Sequence, residues 1–177
     1  TAAMLVRSRW AGVTLVESAC GPKPGKLTLH INSANPTVTT ASTEFVKAAD
    51  GAGGWEGQRW DREIEVPVTT LDALIAAHGV PAFVKIDVEG FEMAVLQSAA
   101  AVLATRPTVV MEFNALCLSN FGRVNPRDAI DSVMRIFPKI DVITQEGRKP
   151  LTDPYVFLSE NILEHGSVDN LVCSWGD

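Results

Sequence analysis

The sequence predicts an α/β fold in which a mostly parallel β-sheet is covered by helices on both faces. Three observations carry this. Strand-like runs alternate with segments of helical period along most of the chain, and some of those runs are apolar on both faces, as strands covered on both sides are. The chain has 177 residues, 46% of them hydrophobic and 20% charged. That is an ordinary globular composition, with enough apolar surface for one domain, residues 1–177, to close a core.

The elements follow in order. Thr1 to Ala11 reads as the end of a helix, with Met4, Leu5 and Ser8 at helical spacing. Val13 to Ala19 is an apolar run, read as a buried strand. Gly21-Pro22-Lys23-Pro24-Gly25 is a turn, and Lys26 to Ile31 alternates with Leu27, Leu29 and Ile31 on one face. The signal weakens from Asn32 to Asp61, and the glycines within Asp50 to Gly57 make a flexible loop. Ile64, Val66 and Val68 alternate as a strand. Thr69 to Asp72 matches a capping box ahead of the stripe Leu71, Leu74 and Ile75, and Gly79 and Pro81 end that helix. Ala82 to Val88 is strand-like. Phe91, Val95, Ala99 and Val102 form one helical face, which Pro107 terminates. Thr108 to Phe113 is a β-branched strand. Asn125-Pro126 caps a helix whose inner face is Ala129, Ile130, Val133, Met134 and Phe137. Ile140 to Thr144, Tyr155 to Leu158 and Leu171 to Ser174 read as strands.

Composition excludes several classes of function. No apolar run approaches the roughly 20 residues that a membrane-spanning helix needs. A net charge of -6, spread along the chain, argues against a nonspecific nucleic-acid binder. Cys20, Cys117 and Cys173 are too few and too scattered for a disulfide framework or a zinc site, and a reducing cytoplasm is the expected compartment. His30, His78 and His165 lack metal-ligand spacing. The glycines from Gly51 to Gly57 follow no strand and open no helix, so they are not a phosphate loop.

The chemistry concentrates in Phe83-Val84-Lys85-Ile86-Asp87-Val88-Glu89-Gly90-Phe91-Glu92. Side chains alternate along a strand, so Lys85, Asp87 and Glu89 share one side if the extended geometry persists. Ligands of open α/β sheets bind outside the carboxyl ends of the strands, where Asp87 and Glu89 lie. The next strand ends with Glu112 and Asn114 on one face. Together these groups can orient a hydroxyl, accept its proton, or hold a hard divalent cation through oxygens. Each of Asp87 and Glu89 can also be read as a cap of the following helix. Lys85 reads as the structural partner of a neighbouring acid. Trp55 and Trp60 read as a hydrophobic patch against the core, with a lid over an acceptor as the alternative.

These motifs resemble the FkbM-type methyltransferases. The likeness rests on Val66-Pro67-Val68-Thr69-Thr70-Leu71-Asp72-Ala73-Leu74, on Val84 to Glu92, on Val95-Leu96, on Pro107 to Glu112, and upstream on Ala19-Cys20-Gly21 with Gly25-Lys26-Leu27. The last forty or so residues match least. The resemblance implies a Rossmann-like sheet, S-adenosylmethionine as cofactor, and O-methylation of a small hydroxylated acceptor. It places Glu17 to Gly21, with Ser18, Ala19 and Cys20 among them, near the adenine, and Asp87 and Glu89 near the methyl group and the acceptor. The catalytic candidates are Asp87, Glu89 and Glu112, and the acceptor-binding candidates are Glu89 and Asn114. The family's glycine-rich loop and its ribose-holding acid have no counterpart in the sequence, so the domain is expected to be incomplete on its N-terminal side. Two other functions compete: a non-catalytic binding or assembly module on the same fold, and a hydrolase with a carboxylate-bound metal.

Overall fold

The computed structural model describes residues 12–49 and 55–176. The expected helix end at Thr1 to Ala11 and most of the glycine loop therefore lie outside the described residues. The elements are β1 (Ala19–Cys20), β2 (Gly25–Ile31), α1 (Thr43–Ala49), β3 (Arg62–Thr69), α2 (Leu71–His78), β4 (Phe83–Ile86), α3 (Glu92–Leu96), α4 (Ala100–Ala104), β5 (Thr108–Asn114), α5 (Ala115–Asn120), α6 (Pro126–Ile136), β6 (Lys139–Thr144), β7 (Gly147–Pro150), α7 (Pro154–Leu163) and β8 (Val168–Ser174).

The strands form two sheets. One has the order β1-β3-β2 and the other β4-β5-β8-β6-β7. The expectation of a mostly parallel sheet is corrected here. Among the described residues only β1 with β3 and β4 with β5 run parallel, and the other four strand pairings are antiparallel. The reason is connectivity. β2 folds back on β3 and β6 on β7, and β8 arrives from α7 to lie antiparallel between β5 and β6. A polar turn or a returning last strand carries no periodicity signal for direction.

Local chemistry explains most boundaries. Asn125 accepts the amide of Arg127 at 2.8 Å with Pro126 in the first turn, and α6 starts there. Thr70, not Thr69, caps α2 by accepting the amide of Ala73 at 3.1 Å. The acid of the supposed capping box faces elsewhere: Asp72 accepts the amides of Ala101 and Val102, both at 3.0 Å, at the start of α4. The single helix read from Phe91 to Val102 is two, broken over residues 97–99.

Two strand assignments were wrong. Tyr155 to Leu158 lies within α7, because Asp153 accepts the amides of Tyr155 and Val156 and Pro154 occupies the first turn. Those caps outweigh the β-propensity of Tyr155 and Val156. Of Val13 to Ala19, only Ala19 belongs to a paired strand, opposite Val68, and Val13, Leu15 and Val16 are exposed.

The core lies over one face of the larger sheet. Val109, Met111 and Phe113 of β5 are at most 1% exposed and pack with Val84, Ile86, Leu171 and the inner residues Ala129, Ile130 and Val133 of α6. The alternate residues of β5 are half-buried, and Glu112 is one of them. This alternation places the polar residues of three adjacent strands together, away from the buried face.

Candidate active site

β4 stops at Ile86, and the chain reaches α3 through a turn of unusual backbone. Glu89 has φ +52° and Gly90 φ +97°. The buried carboxyl group of Glu92 holds this turn: its Oε1 accepts the amides of Val88 at 3.1 Å and Gly90 at 3.2 Å. Phe91 is the N-cap of α3 and makes no side-chain cap. Asp87 and Glu89 therefore do not cap the helix, and the acid that orders the turn is Glu92. The extended geometry also ends before Glu89, so strand alternation is not what brings Glu89 to the other acids.

The acids are gathered nonetheless. One carboxylate oxygen each from Asp87, Glu89 and Glu112 lies within 4.8 Å of the other two. β4 and β5 pair in parallel with Ile86 opposite Met111, which sets Asp87 beside Glu112. Lys85 partners Asp87 at 3.3 Å and donates to Asn170 Oδ1 at 3.0 Å. Asn170 is the cross-strand partner of Glu112 on β8. Glu89 accepts a hydrogen bond from the Cys117 thiol at 3.6 Å.

Glu112 is the acid most perturbed by its surroundings. Burial, and then the charges of Asp87, Glu89 and Glu92, push its carboxyl up from 4.5 to about 7, against a smaller opposing effect of Lys85. Its Oε2 is buried with no hydrogen-bond partner. A carboxyl poised near neutrality in a polar recess is suited to taking and returning a proton. Asn114, at the end of the same strand, is buried. Its Oδ1 caps α5 by accepting the Cys117 amide at 3.0 Å.

A cleft of about 590 Å³ opens beside the acid turn. Its walls include Leu27, Leu29, Val68, Val88 and Phe91, with Lys23 and Lys26 at one part and Glu89 at another. Ser18, Ala19 and Cys20 line it, whereas Glu17 and Asp87 do not. The volume is that of a small-molecule site. Trp55 and Trp60 are absent from its lining and form an aromatic cluster with Phe45 and Phe121.

A family profile described as "Methyltransferase FkbM domain" matches residues 6–139. The chain belongs to the FkbM methyltransferase family. Within this FkbM domain the match takes in the whole acid turn, the cleft and β5, and it ends at the first residue of β6. Neither the curated proteins nor the solved structures yield a match.

Sequence reasoning missed Glu92 and Cys117. A signal for Glu92 was present: an acid in the first turn of a helix, reaching back to amides before it, follows capping-box logic. Cys117 carries no such signal, since only the fold brings it to Glu89.

Proposed function

We propose that the protein transfers a methyl group from S-adenosylmethionine to a hydroxyl oxygen of a small acceptor, with Glu112 as the general base. The observation that carries this reading is the Glu112 carboxyl, poised near neutrality and grouped with Asp87 and Glu89 beside the cleft. The lining of the cleft supports such a donor in part. Its apolar walls suit an adenine ring, Lys23 and Lys26 suit a carboxylate, and Glu89 suits a sulfonium charge. Ser18, Ala19 and Cys20 would border the adenine. When bound, the donor supplies an electrophilic methyl group on positively charged sulfur. Glu89 and Asp87 orient the acceptor hydroxyl, and Glu112 takes its proton as the oxygen bonds to the methyl carbon and the carbon–sulfur bond breaks. Asn114 lies at the same strand end, with its oxygen committed to the α5 cap.

A second reading follows from the convergence of three carboxylates: together they hold a hard divalent cation that lowers the pKa of the acceptor hydroxyl. Incubation with S-adenosylmethionine labelled in its methyl group, and with a small-molecule extract as acceptor pool, tests both readings. Label entering the small-molecule fraction, and lost in Glu112→Gln, supports the proposal. Loss of transfer in a chelator, with recovery on adding Mg²⁺, supports the cation reading. No transfer under any condition by a chain that also carries the family's glycine-rich loop and ribose-holding acid supports a non-catalytic module.

A further inference from the structure

The acid turn meets the chain after α5 backbone to backbone. A Cβ on Gly122 would stand 2.0 Å from the Gly90 carbonyl oxygen, and one on Gly90 would stand 2.3 Å from the Cys117 carbonyl oxygen. Gly90 needs to be glycine for its backbone angle as well, but Gly122 does not, so its close approach alone demands glycine. The contact falls directly beside Glu89, a non-glycine residue held at positive φ. Such a conformation persists only where the surroundings over-determine it.

Other links run to the same place. The amides of Phe121 and Gly122 both donate to the Cys117 carbonyl, at 2.8 and 3.2 Å. The Cys117 thiol donates to Glu89 at 3.6 Å, and burial beside the carboxylates pushes that thiol up to about 12, so it stays a donor. The Phe121 ring lies 4.2 Å from that of Phe45, which meets Trp55 and Trp60 edge-on. The stretch from Glu112 through the α5 cap to Gly122 is one continuous piece of chain. It carries one of the three acids and grips the turn that carries the other two.

We infer that Gly122, together with Cys117, is a positioning residue that sets Glu89 and Asp87 against Glu112. This rests on the reading that the three carboxylates perform the chemistry. The contact has no room to absorb a side chain, so Gly122→Ala must part the two backbones by roughly 1 Å, and a misplacement of that size at the acid turn is enough to cost up to about 10²-fold in rate.

The test compares Gly122→Ala with Val133→Ala, a core truncation in α6 away from the turn. The readouts are labelled methyl transfer to the extract, S-adenosylmethionine KM, melting temperature and the amide resonances of residues 87–90. For Gly122→Ala we expect displaced amide resonances and turnover at least about 10-fold lower, a fall larger than any rise in KM, since the turn also borders the cleft. Val133→Ala should lose melting temperature and keep its turnover. A second pair guards against a Gly122→Ala protein that does not fold. Cys117→Ala and Cys117→Ser both shrink the side chain, but only serine keeps a donor for Glu89. Turnover should fall in the alanine variant and recover in the serine variant. Unmoved resonances in folded Gly122→Ala, an equal fall in turnover for Val133→Ala, or identical Cys117 variants would overturn the inference. Should the wild type transfer no label, the functional reading fails, and the resonances alone decide whether Gly122 positions the turn.

Discussion

Glu112 is pushed up to about 7 because ionising it sets a charge beside Asp87 and Glu89 in a partly desolvated recess. This has a cost in stability with a definite sign. In the unfolded chain the carboxyl ionises near its ordinary 4.5, in the folded protein near 7. Between those values the unfolded state has released a proton that the folded state retains, so rising pH favours unfolding. Glu112→Gln should therefore be more stable than the wild type at pH 8, by roughly 1–3 kcal/mol, and the two should converge near pH 4. Urea unfolding across that range checks it, and parallel curves would count against a perturbed Glu112. Asp87 differs, being half-exposed and paired with Lys85. Asp87→Asn should lower turnover about 10²-fold and shift the melting temperature little. Near-normal turnover with a clearly lowered melting point would return Asp87 to a structural role. Asp87, Glu89 and Glu112 were legible in the sequence because charged residues at the ends of apolar strands stand out. Glu92 was not, because its task depends on a turn whose backbone no pattern announces.

At the scale of elements, side chains that reach a neighbouring helix matter as much as those that cap their own. Asp72 sits in the first turn of α2, yet its carboxylate receives two amides of α4. Asp72→Ala leaves the Thr70 cap in place and strips α4 of its only described side-chain cap. It should cost about 1–2 kcal/mol, measurable by urea unfolding. An effect below about 0.3 kcal/mol would show that water replaces the carboxylate without loss. The same logic explains which elements could be read. α6 was legible because Asn125, Pro126 and its apolar stripe agree. α7 was misread because Tyr155, Val156 and Phe157 look like a strand until Asp153 and Pro154 are weighed. α1 lies in a stretch with no periodic signal, where packing of Phe45 against Trp55 and Trp60 takes over from propensity.

The whole molecule is organised around β5 and β8. They are the two strands that follow β4 in the larger sheet, and their buried side chains belong to its core. Among the described residues β4 pairs only with β5 and β1 only with β3, and Phe83 is 57% exposed on β4. Hydrogen exchange should accordingly be slowest in β5 and β8 and fastest in residues 12–18, which make almost no ladder bonds. Rapid exchange at Met111 and Leu171 would contradict this core. The fold class was legible as α/β, but strand direction was not, since β8 reverses against β5 without leaving a periodic trace. In the proposed reaction Glu112, held by this sheet beside Asp87 and Glu89, is the base of a methyl transfer. The most direct test is the pH dependence of S-adenosylmethionine-driven methylation in the wild type and in Glu112→Gln. The wild-type rate should climb as Glu112 loses its proton around pH 7, and the Glu112→Gln rate should be at least about 10²-fold lower with that limb gone. A Glu112→Gln enzyme that keeps both the rate and the limb would contradict it.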